Sequence, residues 1–204
     1  MTLKLYTSAF APSPRRVRMF AAEKSIPLEY IDISIADGAN RATGFLEVNP
    51  LGETPVLERE DGSRATESLA ICRWLEELHP IPDLFGRDAD ERLAVNRWID
   101  RLMFRMYVPT TEVFRHTHAF WAGRIEQVPA FGELQRKAVR AEWQDLDAAL
   151  ASRAFVARDS FSMADVVAFT TIDFAKVIGM RVSSDLPALQ RWYDAARARP
   201  SAQA

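Results

Sequence analysis

The chain has 204 residues, 48% of them hydrophobic and 26% charged, with a formal net charge of -2. That length suits two modest domains, and the near-neutral balance gives no reason to expect nucleic acid or a membrane surface as a partner. A single cysteine, Cys72, excludes an internal disulfide and fits a reducing, cytoplasmic compartment. Met1 to Phe20 lacks an apolar leader core, and no apolar run approaches the ~18 residues of a membrane span.

In chain order, Leu3 to Tyr6 reads as a short strand and Thr7 to Pro14 as a Ser- and Pro-rich loop. Arg15 to Lys24 has helical spacing, with Val17, Phe20 and Ala21 on one face and Pro14 suited to the first turn. The basic run Arg15, Arg16 and Arg18 opposes the helix dipole, and a solvated surface is its simplest reading for Arg16 and Arg18. Leu28 to Ile33 has strand character, and Phe45 to Val48 allows a turn or two of helix before Asn49-Pro50. Thr54 to Arg59 and Arg64 to Thr66 flank Glu60-Asp61-Gly62-Ser63, a hairpin signal. Glu67 to Leu78 is an amphipathic helix, with Thr66 its expected N-cap and Cys72 reading as core among Ile71 and Leu75. The order β-α-β-α-β-β-α predicts a mixed four-stranded sheet with helices on it.

After a linker at residues 81–86, strand signals nearly vanish. Asp90 to Met106, Phe131 to Leu150, Met163 to Val177 and Leu186 to Arg197 have helical periodicity, so residues 87–204 should form an all-α domain after an α/β domain at 1–80. Val108-Pro109 either kinks one long helix or separates two. Ser162-Met163-Ala164-Asp165 has the spacing of a capping box.

With Leu5-Tyr6, Arg15 to Arg18, Asn49 to Leu57, Thr66 to Ile71 and Phe161 to Asp165 in this order, the chain resembles the cytosolic glutathione S-transferases. The resemblance covers nearly all of it. It implies a thioredoxin-like N-terminal domain and a helical-bundle C-terminal domain. It also implies glutathione as co-substrate, an apolar electrophile as second substrate, and a homodimer; no metal is expected, since His116 and His118 stand two apart with no further ligand nearby. The dimer would use the helices at 67–78 and 92–106, with Asp100 near the partner's site.

The resemblance assigns glutathione binding to Glu53, Thr54, Pro55, Glu67 and Ser68. A cis Pro55 would leave the Thr54 backbone open to the ligand, whereas the residues alone allow a trans proline starting an edge strand. Glu67 would take the γ-glutamyl ammonium, and Ser68 with the helix N-terminus its carboxylate. Glu53 is a poor neighbour for the glycyl carboxylate, which Arg41 or water would meet instead.

Relatives often begin the thiol-activating loop with serine at the position of Ala11. Ser13 is therefore the leading donor to the thiolate, Ser8 the second choice, and Tyr6 reads as packing. Phe10, Pro12, Met103, Met106, Tyr107 and Phe114 are expected to wall the co-substrate pocket, with helix core the alternative for at least half of the methionine and aromatic cluster at residues 103–121. The competing function is a binding protein on the same scaffold, for which Ala11 and Glu53 argue.

Overall fold

The computed structural model describes residues 3–204; Met1 and Thr2 of the expected first domain lie outside the described residues. The chain divides into two units, one running to Leu84 and including Pro200–Ala204, the other Phe85–Arg199. The last turn thus groups with the first unit, not with the helices to which the sequence reading assigned it.

The first unit has the predicted order: β1 (Leu3–Thr7), α1 (Pro12–Glu23), β2 (Leu28–Asp32), α2 (Thr43–Leu46), β3 (Val56–Glu58), β4 (Arg64–Ala65) and α3 (Ser68–Leu78). The four-stranded sheet runs β2-β1-β3-β4. β1 pairs parallel with β2 and antiparallel with β3, and β3 pairs antiparallel with β4. β1 alternates buried and half-buried side chains, placing Leu3 and Leu5 inward. Leu5, Val17, Phe20, Val56, Leu57, Ile71, Cys72 and Leu75 are fully buried. Each large apolar side chain among them contributes about 1.5–3 kcal/mol.

Two details of this unit correct the sequence reading. α1 begins three residues earlier than expected, at Pro12, with the extended Ala11 as an N-cap that makes no side-chain bond. Prolines at its first and third positions lack only N–H groups that the first turn does not use, and their fixed φ favours the helix. Second, Arg16 and Arg18 are not solvated: they are 1% and 9% exposed. α1 packs against α3, and the neighbouring segments supply oxygen acceptors for both guanidinium groups.

The second unit contains α4 (Ala89–Leu102), α5 (Val108–Thr117), α6 (Pro129–Leu150), α7 (Met163–Phe174) and α8 (Pro187–Arg197). The Asp88 side chain caps α4, accepting from the Glu91 N–H at 2.9 Å. Val108-Pro109 neither separates helices nor ends one. A π-helical turn at Met103–Tyr107 joins α4 to α5 directly, with the Val108 N–H reaching back five residues to the Met103 carbonyl. Pro109 donates nothing, and the Thr110 hydroxyl donates to the Met106 carbonyl at 2.7 Å.

α7 is buried all round from Met163 to Ile172, as expected of a helix apolar on every face. Its start is the predicted capping box. The Asp165 carboxylate accepts from the Ser162 N–H at 3.0 Å and the Ser162 hydroxyl at 2.8 Å. Among the described residues no helix is long and apolar enough to cross a membrane.

Candidate functional site

Strand register gathers the first unit's candidates at one end of the sheet. Tyr6 faces Val56, and Leu57 faces Ala65. Continuing the β1–β3 ladder by two residues sets Ser8 opposite Thr54, and β4 ends three residues before Ser68 at the start of α3. The same end carries the α1 and α3 N-termini, where unpaired N–H groups and the dipole favour anions.

The segment leading to Pro55 is braced from both sides. Asn49 Nδ2 donates to the Glu53 carbonyl at 2.8 Å, and Asn40 Nδ2 donates to the Gly52 carbonyl at 2.9 Å. Arg41 Nη1 donates to the Leu51 carbonyl at 3.0 Å. Gly52 has φ +64°, and a Cβ there would lie 2.7 Å from the Asn40 carbonyl oxygen, so a side chain has no room. The Thr54-Pro55 peptide is cis, as is Ile81-Pro82. Pro55 is buried, Thr54 half-buried and Glu53 exposed. Among the described residues no backbone-to-backbone bond outside the regular elements ends on the N–H or C=O of Thr54.

At α3, Glu67 rather than Thr66 is the N-cap, with φ 65° and ψ 106°. A positive φ is costly for a residue with a Cβ, and such backbone concentrates where a side chain must be aimed. Glu67 is exposed, whereas Ser68 is 5% exposed. The Ser68 Oγ accepts a 2.9 Å hydrogen bond from Arg16 Nη1. Sequence reasoning missed Arg16. The available signal was its spacing from Phe20, four residues on and on the apolar face of α1.

The loop between β1 and α1 is fastened by Arg18. Its Nη1 donates to the Thr7 hydroxyl and, at 3.1 Å, to the Ser8 carbonyl; its Nη2 donates to the Ala9 carbonyl at 3.1 Å. Ser8 is buried and Phe10 is 89% exposed. Pro12, Ser13 and Pro14 form the first helical turn. Among these three positions only Ser13 has a backbone N–H, and it is also the only one with a hydroxyl. Tyr6 is held elsewhere: its OH donates to Glu58 Oε2 at 3.2 Å, and its ring lies 6.0 Å from Phe45. Burial, then the Glu58 charge, pushes its phenol upward. Burial also raises the Cys72 thiol, so this cysteine is inert core.

In the second unit, Met103 and Tyr107 are half-buried in the π turn, while Met106 is fully buried and belongs to the core. Phe114 anchors an aromatic cluster, with ring centroids 5.3 Å from Phe174, 5.8 Å from Phe120 and 6.0 Å from Trp121. His116 and His118 fasten the adjoining loop: their Nδ1 atoms accept from the N–H groups of Val128 and Phe120 at 3.0 and 3.1 Å. Arg105 pairs with Glu142 at 3.3 Å. Among the described residues no group of three or more His, Cys, Asp or Glu is placed to hold a metal ion.

Comparison with known proteins agrees with this geometry. Residues 10–78 match the glutathione S-transferase N-terminal domain family, and residues 96–195 the C-terminal domain family. Glutathione S-transferase 2 of Saccharomyces cerevisiae is 30% identical over 201 residues, covering 97% of this chain and 86% of that protein. The crystal structure of Gtt2 from Saccharomyces cerevisiae superposes with a TM-score of 0.90 at 29% identity, over 98% of both chains. A glutathione S-transferase domain-containing protein of Marinobacter aquaeolei also gives 0.90, at 27% identity, over 98% of this chain and 99% of the other. With both domains matched and a relative spanning nearly the whole chain, the protein belongs to the glutathione S-transferase family.

Proposed function

We propose that the first unit binds glutathione, holds its sulfur as the thiolate and delivers it to an apolar electrophile. The observation that carries this reading is the start of α3, where an exposed Glu67 carboxylate at positive φ adjoins the Ser68 hydroxyl and the helix N-terminus. A carboxylate beside an anion-binding helix end is complementary to the ammonium and carboxylate of the γ-glutamyl group. The Thr54 backbone pairs with the cysteinyl amide as an added strand would. Arg41, held against the Leu51 carbonyl, meets the glycyl carboxylate and offsets the unfavourable Glu53.

The thiol proton leaves to solvent. Ser13, by its hydroxyl and N–H, donates to the sulfur anion at the positive end of α1, with Ser8 as the second candidate. The thiolate then forms a C–S bond while the leaving group departs with its electron pair. Phe10, Pro12, Met103, Tyr107 and Phe114 are proposed as apolar surface for the electrophile. The protein acts in the cytoplasm as a homodimer. Exposed Leu93 and Phe104 along the helices at 89–107 favour burial against a second copy.

A non-catalytic glutathione-binding protein is the second reading, favoured by Ala11, which gives the α1 N-cap no side-chain donor. Calorimetric titration of the wild type and Glu67→Ala with glutathione tests the site. Binding in the micromolar-to-millimolar range, lost in the variant, is expected; no binding to the folded wild type would sink the reading. Turnover of an aromatic electrophile at saturating glutathione separates enzyme from binder.

A further inference from the structure

Arg16, 1% exposed, reaches across 52 residues of sequence to the hydroxyl of Ser68, the first residue of α3 and itself 5% exposed. We propose that Arg16 is a positioning residue for glutathione, acting through Ser68 to turn that hydroxyl into a dedicated donor for the γ-glutamyl carboxylate. This rests on the functional reading above. A serine hydroxyl has one proton and accepts through its oxygen. A guanidinium can only donate, so its bond occupies the acceptor side of Ser68 Oγ and leaves the serine proton to point elsewhere. At the start of α3, whose first N–H groups favour an anion, an arriving carboxylate supplies that proton an acceptor, none being present for it among the described residues.

Two consequences make the arrangement more than packing. A hydroxyl that accepts from a cation becomes a stronger donor, because hydrogen bonds in series polarise one another. Orientation is settled before the ligand arrives, so less rotational freedom is lost on binding. Arg16 never needs to touch glutathione, and its burial keeps the serine–arginine bond from exchange with water.

The test is a double-mutant cycle by calorimetry on the full chain. It uses Arg16→Gln, Ser68→Ala and the double variant, each titrated with glutathione and with an analogue whose γ-glutamyl α-carboxylate is an amide. Arg16→Gln should weaken glutathione by about tenfold, the worth of one charge-assisted hydrogen bond, and the analogue by less than about twofold. In the Ser68→Ala background the same substitution should change affinity by less than about twofold. Arg16→Lys, which keeps a charged donor, should recover part of the loss. It also replaces Gln in the cycle if the Gln variant does not fold. Equal losses in both serine backgrounds, or equal losses for both ligands, would overturn the proposal and make Arg16 merely structural. A wild type that binds neither ligand would instead overturn the glutathione site itself.

Discussion

Asp165 is a fully buried carboxylate that accepts four hydrogen bonds, and replacing it by asparagine gives a sharp test of what starts α7. Oδ1 accepts from the Val156 N–H at 2.9 Å and from Trp192 Nε1 at 2.8 Å. Oδ2 accepts from the Ser162 N–H at 3.0 Å and from its hydroxyl at 2.8 Å. All four partners donate, so an acceptor-only side chain is demanded. An asparagine oriented to keep its oxygen toward Val156 and Trp192 presents its NH₂ to Ser162. The serine hydroxyl can rotate to accept, but the Ser162 N–H then faces another donor in a buried site. That orphaned donor costs about 1–3 kcal/mol, and the surviving bonds fall from charge-assisted to neutral. Burial pushes the Asp165 carboxyl upward, so the neutral residue recovers some desolvation cost. The net loss is about 2–3 kcal/mol, a fall in Tm of roughly 5–10 °C for a chain of this size. Ser162→Ala should cost less, about 1 kcal/mol. Thermal unfolding followed by far-UV circular dichroism measures both. A Tm for Asp165→Asn within 2 °C of the wild type, or below which Ser162→Ala falls, would refute the account of this box.

The buried Lys24 ammonium donates to the His79 carbonyl at 2.6 Å and to the Pro82 carbonyl, and pairs with Glu76 at 2.6 Å. Lys24→Met should cost about 3 kcal/mol and release the end of α3, read as faster amide exchange at residues 76–84; unchanged exchange would contradict this. Hydrogen bonds from Arg87, then Arg158, hold the Glu91 carboxyl down to about 2. A depressed acid stabilises the fold above the unfolded carboxylate value, roughly 4.3, and loses that contribution as pH falls through the folded value. The Tm gap between wild type and Glu91→Gln should therefore narrow between pH ~4.5 and ~2, and a pH-independent gap would rule the linkage out. Ser13→Ala should raise the apparent pKa of bound glutathione by about one unit or more and cut turnover at pH 7; an unchanged pH profile would remove Ser13 from the mechanism.

Alternating and helical spacing made the element order legible, and the Glu60-Asp61-Gly62-Ser63 turn placed the hairpin that pairs Leu57 with Ala65 and leads into α3. Ser162 and Asp165 were readable because a capping box is local. The errors share a different origin. Arg16 and Arg18 looked solvated because a charge at a helix start is ordinarily exposed, and their acceptors come from other segments. The π turn left no mark in the apolar spacing: Pro109 signalled a disturbance but not the shift in hydrogen-bond register that absorbs it. Met106, one of the expected pocket residues, proved to be core because that turn aims it inward. Glu67 was read as part of the helix, since positive φ at a non-glycine residue has no sequence signature.

The first turn of α1 limits how a thiolate can be held here. Ala11 has no polar side chain, and Pro12 and Pro14 remove two of the first three N–H groups, leaving those of Ser13 as the turn's polar groups. The helix dipole alone is worth about 0.3–1 kcal/mol, less than one pKa unit at 1.36 kcal/mol each. Starting from a thiol near 8.5, that leaves well under a fifth of the sulfur ionised at pH 7. A hydroxyl donating to the anion adds about 1.5–3 kcal/mol, one to two further units, enough to make the thiolate a major species. Within this turn the two prolines thus leave the burden of activation to Ser13, with Ser8 of the preceding loop as the alternative. If Ser13, or Ser8 in its place, carries it, transferase chemistry at neutral pH follows; if neither does, the dipole alone cannot supply it, and the scaffold binds glutathione without activating it.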